Sequence, residues 1–305
     1  LVQDKMAVFG GTAGCNKSML SMQVGMAIAN DEDYVLDFKI NVKGLKVLYV
    51  DTECGIDEMN RRYNLIKKNF QNWHGSDRFI MISRKAKIIS DVLDDVEDMI
   101  RIEQPDIVYY DCLYNMSNGK DIAKNYNLSP ITDRITDMKM GYNNTPILIA
   151  HATKGSHEMG LTMDRIAGGS HLQNWAEHII ILTESGIEDN LRLMRIDKSR
   201  AIAYPKCYYG IQLDDNFFLS NAGVMENPKA HMLNSDKKNK WAKALGEMPD
   251  TFTYMDFKNY VENVMKLKPR TVRNWLTDMT RSHIIERLEQ GKYKKKLSLI
   301  SDDDE

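Results

Sequence analysis

The chain has 305 residues, is 43% hydrophobic and carries a formal net charge of −2, so it can build one large core or two smaller ones and is no simple polycation. No apolar run approaches the roughly 20 residues of a membrane-spanning helix, and no signal-peptide pattern opens the chain. The four cysteines (Cys15, Cys54, Cys112, Cys207) are scattered without a Cys-x-x-Cys pair, which fits a reducing cytoplasm and argues against a disulfide scaffold or a zinc site. The 19 methionines lie mostly on apolar faces and read as core filler. Leu1 rather than Met opens the chain, and the expectation is of a fragment or a trimmed start.

In chain order, Met6 to Phe9 is a short apolar run fit for a buried strand. The stretch Gly10-Gly11-Thr12-Ala13-Gly14-Cys15-Asn16-Lys17-Ser18 then reads as a phosphate-binding loop, with Asn16 where the pattern has its last glycine. Met19 to Ala29 has helical spacing. A glycine-rich turn between strand and helix aims backbone N–H groups at an anion, and the helix N-terminus adds a favourable field. Lys17 would reach the β- and γ-phosphates, and Ser18 would hold Mg²⁺. Strands are predicted at Val47–Asp51, Phe79–Ile82, Ile107–Asp111, Ile147–His151 and His178–Leu182. Helices are predicted over 58–69, 88–103 and 128–140, the last with Ser129 as N-cap and Pro130 at its first position. Leu191–Ile196 and Tyr208–Leu213 alternate like an edge hairpin. Short apolar strands alternating with helices imply an α/β fold, a mostly parallel sheet covered on both faces, with ligands at the C-terminal strand ends.

The candidate chemical residues are read at such ends. Asp111 is a second Mg²⁺ partner or a strand-end turn cap. Asp51 and Glu53 offer a carboxylate that could align the attacking water as a general base. His151 is a γ-phosphate sensor or a strand-end histidine satisfied by backbone. Lys198 and Arg200 are cations two positions apart on one strand, able to reach a phosphate or to form a solvated basic edge.

Gly11…Lys17-Ser18, Glu53, Asp111, His151-Ala152-Thr153-Lys154, Gly168-Gly169-Ser170…Leu172…Ala176-Glu177-His178 and Lys198-Ser199-Arg200 occur in the order of one family. The chain resembles a RecA-like P-loop ATPase, nearest to the group with the replicative helicase DnaB, the plasmid helicase RepA and the recombination ATPase RadA. The resemblance covers about residues 1–220. It implies hydrolysis of ATP with Mg²⁺ between subunits of a ring or filament acting on DNA. It favours Glu53 over Asp51 as the base and makes Arg200 an arginine finger for a neighbour's nucleotide. It implies that residues 153–169 face a central channel, with Lys154, His157 and Arg165 touching single-stranded DNA. The chain departs from the family at Asn16 and lacks the usual strand and helix before the loop.

After Leu219 the composition changes. Residues 221–239 read as a linker, 240–296 as a small helical unit resembling a winged helix-turn-helix, and 297–305 as an acidic tail. Pro269 to Leu276 resembles the start of a recognition helix, offering Arg270, Arg273 and Asn274 to duplex DNA. From 236 to 296 there are 15 Lys and Arg against 8 Asp and Glu, the charge expected for phosphate contacts. A protein-docking module with a solvated basic face is the alternative. For the whole chain the first reading is a DNA-translocating ATPase, a ring-forming replicative DNA helicase of a phage, plasmid or mobile element; the alternatives are a RadA-like recombination or repair ATPase and an ATP-regulated DNA-binding protein without helicase activity.

Overall fold

The computed structural model describes residues 4–85, 89–117, 125–152, 162–186, 188–200, 202–226, 228–232, 235–281 and 284–296. The described residues divide into two compact units, those within 1–156, 161–184 and 190–225 forming the first, and those within 185–189 and 226–305 the second. No helix among the described residues is long and apolar enough to cross a membrane.

The first unit runs β1 (Ala7–Gly11), α1 (Lys17–Ala29), β2 (Tyr34–Val35), β3 (Phe38–Lys39), β4 (Val47–Asp51), α2 (Ile56–Lys67), β5 (Phe79–Ser83), α3 (Ile89–Glu103), β6 (Ile107–Asp111), α4 (Asn125–Tyr142), β7 (Thr145–His151), α5 (Gly169–Trp175), β8 (His178–Glu184), β9 (Leu191–Ser199), β10 (Tyr209–Leu213) and β11 (Leu219–Val224). Its main sheet has the order β11-β10-β9-β8-β1-β7-β6-β4-β5. The strands from β8 to β5 are parallel, and β9, β10 and β11 extend the sheet antiparallel.

Strand periodicity builds the two faces. Val47 and Tyr49 point into one core with Met19, Met22 and Met26 of α1 and Met59 and Ile66 of α2. Leu48 and Val50 point into the other, with Val92 and Val96 of α3, Leu128 and Ile135 of α4 and Leu172 of α5. The central strands β1, β4 and β6 are buried on both faces, which explains their continuous apolar runs. Each parallel strand therefore delivers its C-terminal residue to the same end of the sheet.

Most boundaries shift by one to three residues from the sequence reading, and two differences are larger. Helix α4 begins at Asn125, so Pro130 lies inside it. Burial of Leu128 in the core holds the extra turn despite the backbone N–H that proline lacks. The expected linker 221–239 carries structure: Asn221–Val224 completes β11, and two helices follow. Gln23 of α1 brackets β11, donating to Leu219 O at 2.7 Å and accepting from Leu219 N at 2.9 Å. An edge strand buries one face only, so its polar Ser220 and Asn221 resemble loop residues.

The second unit contains α6 (Pro228–His231), α7 (Ser235–Gly246), β12 (Thr251–Thr253), α8 (Tyr254–Asn259), continued as a π-turn to Val264, α9 (Pro269–Arg281), β13 (Ile285–Glu289) and β14 (Lys292–Lys295). Its strands pair antiparallel in the order β12-β14-β13. Trp241, Phe252, Phe257, Val261, Val272, Leu276 and Met279 form its own core. Thr253 opens α8 with a capping box to Asp256. Three-residue β12 is too short for its periodicity to show in sequence. Residues 297–305, expected as an acidic tail, lie outside the described residues.

Candidate nucleotide site

The glycine-rich turn joins β1 to α1. Gly11 is required by close approach: a Cβ there would lie 2.2 Å from Leu182 O of the adjacent β8. Gly14 has φ +79°, and Asn16 takes the same left-handed region at φ 66°. Ala13 and Gly14 are exposed and Thr12 half-buried, while Cys15 is buried and donates to Leu182 O at 3.3 Å. Burial raises the Cys15 thiol pKa, so its role here is anchorage. Lys17 is buried, and its ammonium donates to Thr12 O at 2.6 Å across the turn. The result is a cationic cup at the N-terminus of a 13-residue helix, the arrangement that binds phosphate.

Strand register sets the remaining groups. Gly11 of β1 lies opposite His151 of β7, and Asp111 of β6 opposite Asp51 of β4. Asp111 is 2% exposed. Its Oδ2 accepts from Tyr49 OH at 2.7 Å, and its Oδ1 is buried without a hydrogen-bond partner among the described residues. Burial pushes its pKa up to about 6, against the nearby Ser18 hydroxyl and the hydrogen bond from Tyr49, which hold it down. An orphaned carboxylate oxygen beside the Ser18 hydroxyl is a hard-oxygen pair, and these residues fit Mg²⁺. Tyr49 escapes sequence reading because it stands in an apolar strand; its hydroxyl fixes which Asp111 oxygen remains open.

This raised pKa has a measurable consequence. Well below pH 3.8 Asp111 is protonated in both folded and unfolded chains. As pH rises towards about 6 the unfolded chain ionises first, so stability falls and stays lowered above that pH. The shift corresponds to about 3 kcal/mol without the metal. Asp111→Asn is expected to raise the melting temperature of the nucleotide-free protein by roughly 5–10 °C at pH 8 and to leave it nearly unchanged at a pH about one unit below 3.8. A parent that melts higher than the variant at pH 8 would show that its charge is already compensated.

Asp51 and Glu53 are sharply different. Asp51 Oδ1 accepts from the backbone N–H of Glu53 (3.2 Å) and Cys54 (2.9 Å), and its Oδ2 from Gly55 N (2.8 Å) and Ser83 Oγ (3.2 Å). It organises the turn before α2 and has no lone pair directed at a substrate. Glu53 is solvent-accessible, 46% exposed at its side chain, with Oε2 3.9 Å from His151 Nε2. The His151 pKa is lowered by burial and by Lys17, against the pull of Glu53. Cys112 Sγ brings a third donor atom within 4.8 Å of these two. Burial pushes that thiol up to about 12, so it stays protonated and steadies Glu53 rather than competing for a hard metal ion.

Lys198 and Arg200 are not in this group. The β9 residue Ser199 pairs with His178, which pairs with Ala7 at the start of β1. Four residues of strand, roughly 13 Å at 3.3 Å per residue, separate that level from Gly11. Lys198 Nζ donates to Gln173 O and, at 2.7 Å, to Ala176 O. The Arg200 backbone donates to Glu177 O at 3.1 Å, and its side chain is exposed. Thus both cations lie at the sheet end opposite their own phosphate loop. Arg165 lies at the nucleotide end, where Ile166 bridges Ala152 just after β7. Lys154 and His157 fall outside the described residues. In the second unit, Arg270, Arg273 and Asn274 are exposed on α9, while Val272, Trp275 and Leu276 are buried.

A family model for the AAA domain matches residues 1–157. No curated protein matches the chain in sequence. Among solved structures, a KaiC-like protein from the hyperthermophilic archaeon Pyrococcus horikoshii superposes with a TM-score of 0.55 at 13% identity, covering 72% of this chain and 89% of that one. At that identity the likeness speaks for the fold, a parallel sheet with helices on both faces, which is the RecA-like architecture. By the match over its first half, the chain belongs to the AAA domain family, and its core is a RecA-like P-loop ATPase.

Proposed function

We propose that the protein is a DNA-translocating motor that assembles as a ring or filament and hydrolyses ATP at its subunit interfaces. The observation that carries this reading is the position of Lys198 and Arg200, at the sheet end remote from their own P-loop. An exposed Arg200 there suits an adjacent subunit's γ-phosphate. In this reading Lys17 and the turn amides hold the phosphates, and Ser18 and Asp111 hold Mg²⁺, which neutralises phosphate charge when bound. Glu53 takes a proton from the attacking water as its oxygen bonds to the γ-phosphorus. The bond from that phosphorus to the bridging oxygen breaks, leaving ADP and phosphate. His151, next to Glu53, senses which nucleotide is present. Lys154, His157 and Arg165 follow the backbone of single-stranded DNA. The test is the ATPase rate with and without single-stranded DNA, alongside particle mass with nucleotide. A large DNA stimulation by a multi-subunit particle supports the proposal; a monomer turning over ATP indifferently to DNA overturns it.

A second reading, an ATP-regulated DNA-binding protein, draws on the second unit. Its order of helix, strand, two helices and hairpin supports a winged helix-turn-helix reading, in which α9 takes the recognition position. Unwinding of forked duplex favours the helicase, strand-exchange stimulation the recombination ATPase, and site-specific duplex binding without translocation this reading. Either way, Arg270→Ala combined with Arg273→Ala is expected to weaken duplex binding roughly tenfold and to lower the salt dependence by about two phosphate contacts. Unaltered duplex affinity in a titration over salt would favour a protein-docking role for the unit.

A further inference from the structure

Asn16 is the one residue of the phosphate-binding turn that departs from its pattern, and the tertiary structure holds it in an unusual way. Its backbone is left-handed, φ 66° and ψ 28°, at the N-cap of α1. Asparagine visits that region more readily than most residues, yet it adds a side chain that glycine lacks. At an N-cap with extended backbone, asparagine turns its side-chain oxygen onto the second or third N–H of its helix. Here those belong to Ser18 and Met19, at the helix end where a phosphate would bind. The Asn16 side chain makes no such cap. Its Oδ1 accepts from Arg192 Nε at 2.9 Å. Arg192 stands on β9 opposite Glu184, is 8% exposed, and donates through a second nitrogen to Leu191 O at 3.1 Å, which orients its guanidinium.

We propose that Arg192 is a positioning residue of the nucleotide site, drawing the Asn16 carboxamide off the α1 N-terminus so that its amides stay open to phosphate. The pair achieves what the usual glycine achieves by having no side chain. This inference rests on the nucleotide-binding reading of the turn. A charge-assisted bond from a buried guanidinium is strong enough to outcompete a neutral N-cap bond. Without Arg192, the carboxamide is free to swing across the α1 N-terminus and to compete with the phosphate.

The test is a double-substitution cycle read as the affinity for a fluorescent ATP analogue. Arg192→Met is expected to weaken binding about fivefold in the parent, the effect of a competing cap of ordinary strength. In an Asn16→Gly background, where no carboxamide remains, the same substitution is expected to have no effect. In steady state the parent-background loss falls on KM, with kcat at saturation little changed. Arg192→Lys keeps a donor and loses less than methionine; should Arg192→Met fail to fold, lysine is carried through both backgrounds instead. Equal losses in the two backgrounds would overturn the proposal and assign Arg192 to phosphate contact or to the fold alone. No loss in either would overturn it as well. A parent that binds no nucleotide would overturn the P-loop reading along with it, and that failure is visible before any variant is made.

Discussion

Replacing Arg200 with alanine is expected to lower ATP turnover by roughly three to five orders of magnitude, the range of an arginine finger in other phosphoryl-transfer systems, while each subunit still binds ATP. The expectation follows from distance. The register Ser199–His178–Ala7 puts Arg200 at the far end of β1 from Gly11. Loss of a cation so placed cannot weaken the loop that binds phosphate in the same subunit. Mixing separates this from misfolding. Lys17→Ala subunits lack a working P-loop but offer an intact Arg200; Arg200→Ala subunits offer the reverse. Mixed assemblies pair an intact loop with an intact finger at some interfaces, so part of the activity should return. Full activity of Arg200→Ala alone would remove the main support for interfacial hydrolysis. Failure of every mixture, with mixed particles confirmed by mass, would remove the trans role.

Glu53→Gln is expected to bind ATP with Mg²⁺ normally and to turn it over roughly 10²–10⁴-fold more slowly, the usual worth of a general base. The amide keeps the shape of the side chain and its neighbourhood with His151 but cannot take the water's proton. The loss should therefore fall on kcat with KM nearly unchanged, checked by steady-state kinetics beside equilibrium nucleotide binding. Asp51→Asn behaves differently. Its four accepted hydrogen bonds hold the turn after β4, so its expected signature is a lower melting temperature. Normal turnover in Glu53→Gln would return the base to another group.

Much of this protein was legible in its sequence because the relevant physics is local. A phosphate loop needs its glycines, lysine and serine within a few residues, between a buried strand and a helix, so Gly11 to Ser18 announced themselves. Strands buried on both faces must be continuously apolar, and Asp111 and His151 stood out as polar residues ending such runs. Edge strands follow a weaker rule: β11 buries only one face, and its polar half reads in sequence as a linker.

What lay beyond the sequence depends on residues far apart in the chain. Tyr49 reaches Asp111 across 62 positions, and Arg192 reaches Asn16 across 176. No spacing marks such pairs, since only strand order and register bring them together. The same holds for Lys198 and Arg200. As sequence they end a strand, like every other candidate. Only the antiparallel turn from β8 into β9 puts that end of the strand at the sheet end away from the phosphate loop. By itself the sequence determined the chemistry of the phosphate loop and the layering of the fold, because burial and backbone geometry act over short spans. The tertiary structure alone decided which carboxylate is open, which is bound up in a turn, and which cations lie out of reach of their own loop, because each depends on long-range strand pairing.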